Sequence, residues 1–362
     1  MTTPFSAALS QIGPDSDVVV TSRVRLARNI AGLPFISRAS NAVRLEVMRI
    51  VRRGVDQTAR GGADRERLRW IELQTAPSRD RILLAERHLV SRHFAHNEGP
   101  RALALSHDEH ASIMVNEEDH LRIQCLRAGS ALPEAFQAAF ELEDALSAST
   151  QFSFHARWGY LTACPTNVGC GIRLSSMLHL PGVVIMKEAD RIKRASHDLH
   201  LAVRGYYGEG SEAIGDFYQF SNQTTLGASE EALLEEFHRV ILPKLIAYER
   251  DARAAAMDRH RARLEDFVLR SNALLSAARL LTADEATKHL SRIRLGSVLG
   301  IVRIDLATIQ RLLLQVQPAH LSVIDPRATE GDDIEREVRA THVRLALAHS
   351  PHAPGSAPES AA

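Results

Sequence analysis

The 362-residue chain is nearly without lysine. Its four are Lys187, Lys193, Lys244 and Lys288, and every other one of its 44 basic residues is arginine. A GC-rich coding bias is explanation enough for the excess, but one consequence stands either way. Upstream of Lys187, a phosphate site has to be built from arginine side chains and backbone N–H groups. That excludes a P-loop lysine there, and also the strand lysine of ordinary protein kinases. Cysteine is scarce too: Cys125, Cys164 and Cys170 are too few for a disulfide framework. The Cys164–Cys170 spacing also lacks the C-x-x-C form of a zinc knuckle. No apolar run approaches the roughly 18 residues of a membrane span. Met1 to Gly13 has no basic stretch followed by an apolar one, so no export signal is expected and the location expected is cytoplasmic. Net charge is zero, which gives no general attraction to nucleic acid or membrane.

What is present is an ordinary globular composition, 45% apolar and 24% charged, in a chain long enough for a large domain and a smaller one. Asp17–Thr21 reads as a buried strand running into Ser22-Arg23-Val24-Arg25. Val43, Val47, Ile50 and Val51 fall at helical spacing and predict a helix over 42–58. Residues 71–73, 102–105 and 113–115 read as strands, with His107-Asp108-Glu109-His110 as a polar hairpin turn rather than a metal site. A helix is expected over 133–147, strands over 159–164 and 176–180, and helix from a capping serine at Ser229 to about His260. From Arg261 to about Leu347 leucine and arginine recur at helical spacing with no strand signal. The expected class is therefore α+β: an N-terminal segment 1–14, a catalytic domain 15–255, a small all-α domain 256–348 and a disordered tail 349–362.

Three segments carry the chemistry. Asn116-Glu117-Glu118-Asp119-His120-Leu121-Arg122 places three successive carboxylates between apolar runs, where so much charge needs a reason. Cys164-Pro165-Thr166-Asn167-Val168-Gly169-Cys170-Gly171-Ile172-Arg173 and Arg204-Gly205-Tyr206-Tyr207-Gly208-Glu209-Gly210 combine glycine with arginine or acid, as expected where backbone approaches a ligand. Each guanidinium offers a planar fork for phosphate oxygens, and Arg23 and Arg25, two apart in an extended strand, face the same side. If the acceptor is itself a guanidinium, carboxylates are its natural partners. One would align it and take its proton as the N–P bond forms, and Glu118 and Glu209 are the candidates. Cys164, before a proline and near several arginines, is either a packed thiol or a reactive one.

These motifs closely resemble the signatures of the ATP:guanidino phosphotransferases, the creatine and arginine kinase family. The likeness rests on Thr21-Ser22-Arg23-Val24-Arg25, the Asn116–Arg122 block and Cys164-Pro165-Thr166-Asn167-Val168-Gly169. Gly13-Pro14-Asp15-Ser16-Asp17, Arg157-Trp158-Gly159-Tyr160-Leu161-Thr162, the Arg204–Ala213 run and Ser221-Asn222-Gln223-Thr224-Thr225-Leu226-Gly227 point to its bacterial branch. Members of that branch act on arginine in proteins beside a Clp protease system. The likeness is strong over about residues 13–255 and weak beyond.

The resemblance implies a phosphagen-kinase catalytic domain, an antiparallel sheet flanked by helices with ATP across it. It implies nucleotide contacts from Thr21, Ser22, Arg23, Val24 and Arg25, from His88 and Arg122, from Arg173, Leu174, Ser175, Ser176 and Met177, and from Arg204, Gly205, Tyr206, Tyr207, Gly208 and Glu209. Catalytic roles fall to Glu118, Glu209, Arg122 and Cys164, with Mg²⁺ held mainly through the nucleotide phosphates. Implied partners are proteins with exposed arginine, a Clp ATPase, a zinc-binding activator and a second copy joined through the helical domain. Relatives that act on small guanidines carry an N-terminal helical lid. The first motif strand here begins near Asp17, so no lid is expected, and an open site admits arginine on a protein surface. Two departures stand out. The family's Gly-Thr-Gly turn is Gly169-Cys170-Gly171 here, and a phosphoarginine-sensing Arg-Asp-x-x-Arg-Ala appears only as Glu335-Arg336-Glu337-Val338-Arg339-Ala340. The competing readings are a kinase for free arginine or another small guanidine, and a non-catalytic adaptor that binds ATP or phosphoarginine. Intact Glu118 and Glu209 argue against the adaptor.

Overall fold

A computed structural model describes residues 7–58, 68–205 and 214–350. Its centre is an eight-stranded sheet built from β1 (Val19–Arg28), β2 (Arg69–Glu72), β3 (Ala102–Leu105), β4 (Ala111–Val115), β5 (Leu121–Ala128), β8 (Ile172–His179), β9 (Leu201–Gly205) and β10 (Phe217–Asn222). The order is β2-β3-β4-β5-β1-β8-β10-β9, and every neighbouring pair is antiparallel. A separate hairpin joins β6 (Phe154–His155) to β7 (Gly159–Tyr160). β1 lies mid-sheet, with Arg25 opposite Gln124 of β5 on one side and Arg173 of β8 on the other.

The period of two in a strand decides what each face carries. On β1, Val24 and Leu26 enter the main core with Ile123 and Cys125 of β5 and Ile172, Leu174 and Leu178 of β8. Helices Asn41–Thr58 and Leu132–Ser147 cover that face through Val47, Val51, Leu132, Ala135 and Ala139. Arg28, at the end of β1, is wholly buried and pairs with Glu143 of the second helix at 2.5 and 3.1 Å. A bidentate pair satisfies both charges where either alone would be costly.

Ser229 caps the next helix, its hydroxyl accepting from the Ala232 N–H at 3.1 Å. The helix widens into a π turn over Glu236–Ile241, just before Leu242-Pro243. Pro243 has no N–H to return to the preceding turn, and the wider turn accommodates that loss. Helix Leu242–Ala277 follows and breaks its regular geometry at His260 (φ −137°, ψ 28°). Beyond it the described chain is helical. A second core made by Val268, Leu275, Leu290 and Ile309 packs the helical region onto the sheet at Val20, Met177 and Phe217.

The expected α+β class is what folds, with the helical region after the sheet. The strand expected over 159–164 stops at Tyr160, because its next polar groups are used elsewhere. Leu161 N–H bonds to Ser153 O, and Ala163 N–H donates to the Asp119 carboxylate at 2.7 Å. The 107–110 segment is indeed a hairpin turn, but Glu109 in it is buried against Arg87 rather than solvated. Residues 351–362 of the expected disordered tail lie outside the described residues. Among the described residues no helix is long and apolar enough to cross a membrane.

Candidate active site

The arginines gather on the sheet face opposite the main core. Thr21, Arg23, Arg25 and Ala27 of β1 all point there, as do Arg122 of β5, Arg173, Ser175 and Met177 of β8, and Arg204 of β9. A cavity of about 240 Å³ is bounded by Arg25, Glu118, Arg122, Cys164, Arg173 and Arg204. The next residues along β1 lead from it to a smaller, more apolar hollow walled by Val20, Arg23, His88, Leu126 and Met177. Strand alternation turns four of the expected side chains away from the cavity. Val24 and Leu174 lie in the core, Ser176 is fully buried, and the Ser22 hydroxyl donates to Gly129 O at 2.7 Å. The side chains of these four cannot reach the cavity.

Cations dominate the cavity. Arg25 and Arg173 are directly opposed across β1 and β8, an arrangement that is unfavourable without an anion between them. Burial lowers the Arg25 pKa well below the ordinary value, and Arg23, Arg122 and Arg173 add to the effect. Burial also brings Arg23 down to about 10, again with help from Arg173, Arg122 and Arg204. Arg23 is anchored by Gln219 Oε1 at 2.8 Å, and Arg173 by the Ser221 hydroxyl at 3.0 and 3.2 Å. Nε and Nη2 of Arg25 are buried with no hydrogen-bond partner. Orphaned donors among crowded positive charges fit a polyanion such as a nucleotide triphosphate.

The carboxylate wall is the β4–β5 turn. Asn116 turns the chain at φ 65°, its side-chain amide donating to Arg44 O and Pro100 O, both at 2.9 Å. Arg122 forks between Glu117 and Glu118 at 2.7 Å each. Glu118 stays 43% exposed at the rim, while Glu117 is further held by the Ser91 hydroxyl at 3.0 Å. Asp119 turns inward to accept from Asn29 Nδ2 at 2.6 Å and from Ala163 N–H, and burial raises its pKa. Asn29 Oδ1 accepts the His120 N–H at 2.9 Å, and His120 Nδ1 accepts the Ile30 N–H at 2.9 Å. The bend is thus pinned from beneath and leaves only Glu118 outward, so it is not the solvated turn its charges suggest.

The opposite rim is the Cys164–Gly171 turn. Thr225 ties it down, its hydroxyl donating to Thr166 O and Val168 O at 2.9 and 2.7 Å. Gly169 has φ 117°, and a Cβ there would lie 2.2 Å from Thr225 O, so only glycine fits. Cys164, half-buried, reaches Thr166 Oγ1 at 3.0 Å. Burial pushes the Cys125 thiol up to about 12 and raises that of Cys170. Gly205 closes β9 beside the site, whereas Tyr206, Tyr207, Gly208 and Glu209 lie outside the described residues. Sequence reasoning missed Gln219, Ser221, Asn29 and Asp119 as supports of the site. The alternation of Gln219 and Ser221 with Tyr218 and Phe220 was the available signal for the first two.

Comparisons with known proteins agree with this fold. Residues 48–252 match the family model for the ATP:guanido phosphotransferase C-terminal catalytic domain. Residues 261–357 match the model for the protein-arginine kinase McsB C-terminal domain. A protein-arginine kinase of Geobacillus thermodenitrificans (strain NG80-2) is 43% identical over 339 residues, covering 93% of this chain and 92% of its own. One from Moorella thermoacetica is 42% identical, covering 93% and 95%. Among solved structures, the duplicated taurocyamine kinase from Schistosoma mansoni with bound transition state analog components superposes with a TM-score of 0.59 at 25% identity. That match covers 69% of this chain and 36% of the duplicated one. A lombricine kinase superposes at 0.58 and 23% identity, covering 69% and 71%, which speaks for the fold alone. The chain belongs to the ATP:guanido phosphotransferase family, within the branch whose curated members are named protein-arginine kinases.

Proposed function

We propose that the chain transfers the γ-phosphoryl group of ATP to arginine side chains of proteins. The observation that carries this reading is the single cavity in which Glu118 stands against Arg25, Arg122, Arg173 and Arg204. In-line phosphoryl transfer asks for positioning and charge more than for covalent help. The triphosphate lies along the arginines, filling the space between Arg25 and Arg173, and the base end reaches the hollow at Val20, His88 and Met177. Mg²⁺ would be held mainly through the nucleotide phosphates and would offset the charge that develops on them. Glu118, with Glu209 as its counterpart, grips the incoming guanidinium. A guanidinium nitrogen attacks the γ-phosphorus, the N–P bond forms as the bond to the bridging oxygen breaks, ADP leaves, and the nitrogen's proton passes to the carboxylate. Arg122, tied to Glu118, links the two halves of the site, and Cys164 contributes to the field at the rim without acting as a nucleophile.

The names of the curated relatives support protein arginine over a small guanidine, as does the rim position of Glu118, open to a side chain presented from outside. The break at His260 supports a boundary between a catalytic domain of 15–255 and a helical domain of 256–348. On the family resemblance we place the enzyme in the cytoplasm as a homodimer joined through its helical domain. On the same ground it marks substrates for a Clp-type protease beside a zinc-binding activator. The test is incubation with ATP·Mg²⁺ and an unfolded, arginine-rich protein, followed by mass spectrometry for acid-labile phosphate. Phosphate on arginine is expected. Phosphate on serine or threonine alone, or on free arginine alone, would overturn the reading.

A further inference from the structure

A buried polar network behind the cleft has no part in the transfer just described. Glu86 ends helix Ser78–Glu86, and its carboxylate accepts from the N–H groups of Ala319 and His320 at 2.8 and 3.0 Å. Those two residues open helix Pro318–Ile324 of the helical region. The same carboxylate bonds Nδ1 of the His320 ring at 2.7 Å, and Nε of Arg87 donates to the other ring nitrogen at 3.2 Å. A ring that donates to a carboxylate at one nitrogen and accepts from a guanidinium at the other is neutral, with its tautomer fixed by its partners. Arg87 also pairs with Glu109 in the β3–β4 turn. His320 is wholly buried, Arg87 is 1% exposed and Glu86 8%.

The next residue is His88, which stands at φ 55°. The Leu89 N–H returns to Leu84 O at 3.1 Å and the His88 N–H to Ala85 O at 3.0 Å, so His88 is the left-handed residue that ends the helix. Glycine is the usual occupant, and a side chain there costs on the order of 1 kcal/mol. Here the strained position supplies a ring to the wall of the hollow beside Thr21, Arg23 and Met177. The Gln124 side chain holds its carbonyl at 3.0 Å. Strain kept at a cavity wall calls for something that holds it.

We infer that Glu86 and His320 are positioning residues for the nucleotide. Through the Glu86–His320–Arg87 chain, the helical region fixes the turn that presents His88 to the apolar end of the cleft. This rests on reading that hollow as the seat of the base. The full-length chain is titrated with ADP·Mg²⁺ by calorimetry, KM for ATP and for the arginine substrate is measured, and melting curves establish that each variant is folded at the assay temperature. His320→Leu should weaken ADP·Mg²⁺ binding and raise KM for ATP on the order of tenfold, within the range for network residues that touch no ligand. KM for the arginine substrate should not move. His320→Asn, whose amide can keep the bond to Glu86, should recover most of the affinity, and Glu86→Gln should lose it as His320→Leu does. Lower melting temperatures with unchanged nucleotide affinity in both His320→Leu and Glu86→Gln would overturn the inference and leave a purely structural network. A wild-type chain that does not bind ADP·Mg²⁺ would overturn the reading of the hollow and the inference with it.

Discussion

Mild acid should destabilise this protein before its carboxylates titrate. His179 is wholly buried, its Nδ1 accepting from Arg294 Nη1 at 2.8 Å, its Nε2 bonded to the Ser291 hydroxyl at 2.8 Å, and its ring 4.7 Å from that of Phe217. Burial first, then Arg294 and Arg253, hold its pKa well below the ordinary value. His88 is lowered to about 3 by burial and by Arg23 and Arg92. A base with a depressed native pKa contributes stability that is whole above its unfolded pKa near 6.5 and is lost as pH falls toward the native value. Only the unfolded chain takes up the proton in that window, at about 1.4 kcal/mol per pH unit per site. By pH 5 the loss is about 2 kcal/mol for each histidine and about 4 kcal/mol for the pair, against a total stability of about 5–15 kcal/mol. His120, His289, His320 and His342 are also lowered, chiefly by burial, and act in the same direction. Asp119, Asp216 and Glu249, raised by burial, act in the opposite sense and are fewer. Urea unfolding followed by circular dichroism at pH 8, 6.5 and 5 measures the slope, and His179→Asn should flatten it. A midpoint that stays constant from pH 7 to 5 would refute the argument.

Three further outcomes are expected. Glu118→Gln should keep the fold and ADP·Mg²⁺ affinity and lose about 10²–10⁴-fold in transfer rate, since the amide neither holds a guanidinium nor takes its proton; equal turnover would make Glu118 a turn residue only. Arg173→Lys should lose a few kcal/mol of transition-state stabilisation, about the worth of one preorganised donor. An ammonium cannot reproduce the fork that Ser221 now orients, so full activity of the lysine variant would show that point charge alone matters. Alkylation followed by peptide mapping should find Cys164 modified first, with ATP·Mg²⁺ slowing it and Cys164→Ser retaining part of the activity. Labelling at buried Cys125 or Cys170 without protection would separate the turn from the nucleotide.

The parts of the site legible in the sequence are those where a strand's alternation or a bend's composition speaks locally. Arg23 and Arg25 read correctly as sharing a face because strand period alone requires it. The run Glu117-Glu118-Asp119 announced a charged bend, yet nothing local tells which carboxylate faces out. That is settled by Asn29, 90 residues away, and by the Ala163 N–H, which draw Asp119 inward. The same bond ended the expected strand at Tyr160. Motif likeness places Val24 and Leu174 at the nucleotide site, and the pleat sends their side chains to the core. His88 was legible as a candidate contact but not as the left-handed end of a helix, since that conformation depends on what holds the turn. Pairings across more than a hundred residues leave no trace in a local window.

The mid-sheet place of β1 also bears on how the chain is made. Ser22 finds Gly129 across 107 residues and Arg23 finds Ser175 across 152. During synthesis β1 leaves the ribosome with both of its edges bare, and the second is covered only once β8 has emerged. At about 5–20 residues per second, 152 residues correspond to roughly 8–30 s of exposure. Unpaired strand edges over that interval invite association with other chains. A nascent polypeptide halted before β8 would carry Arg23, Arg25 and Glu118 but no cleft, so activity emerges late and all at once, and chaperone demand should peak before it.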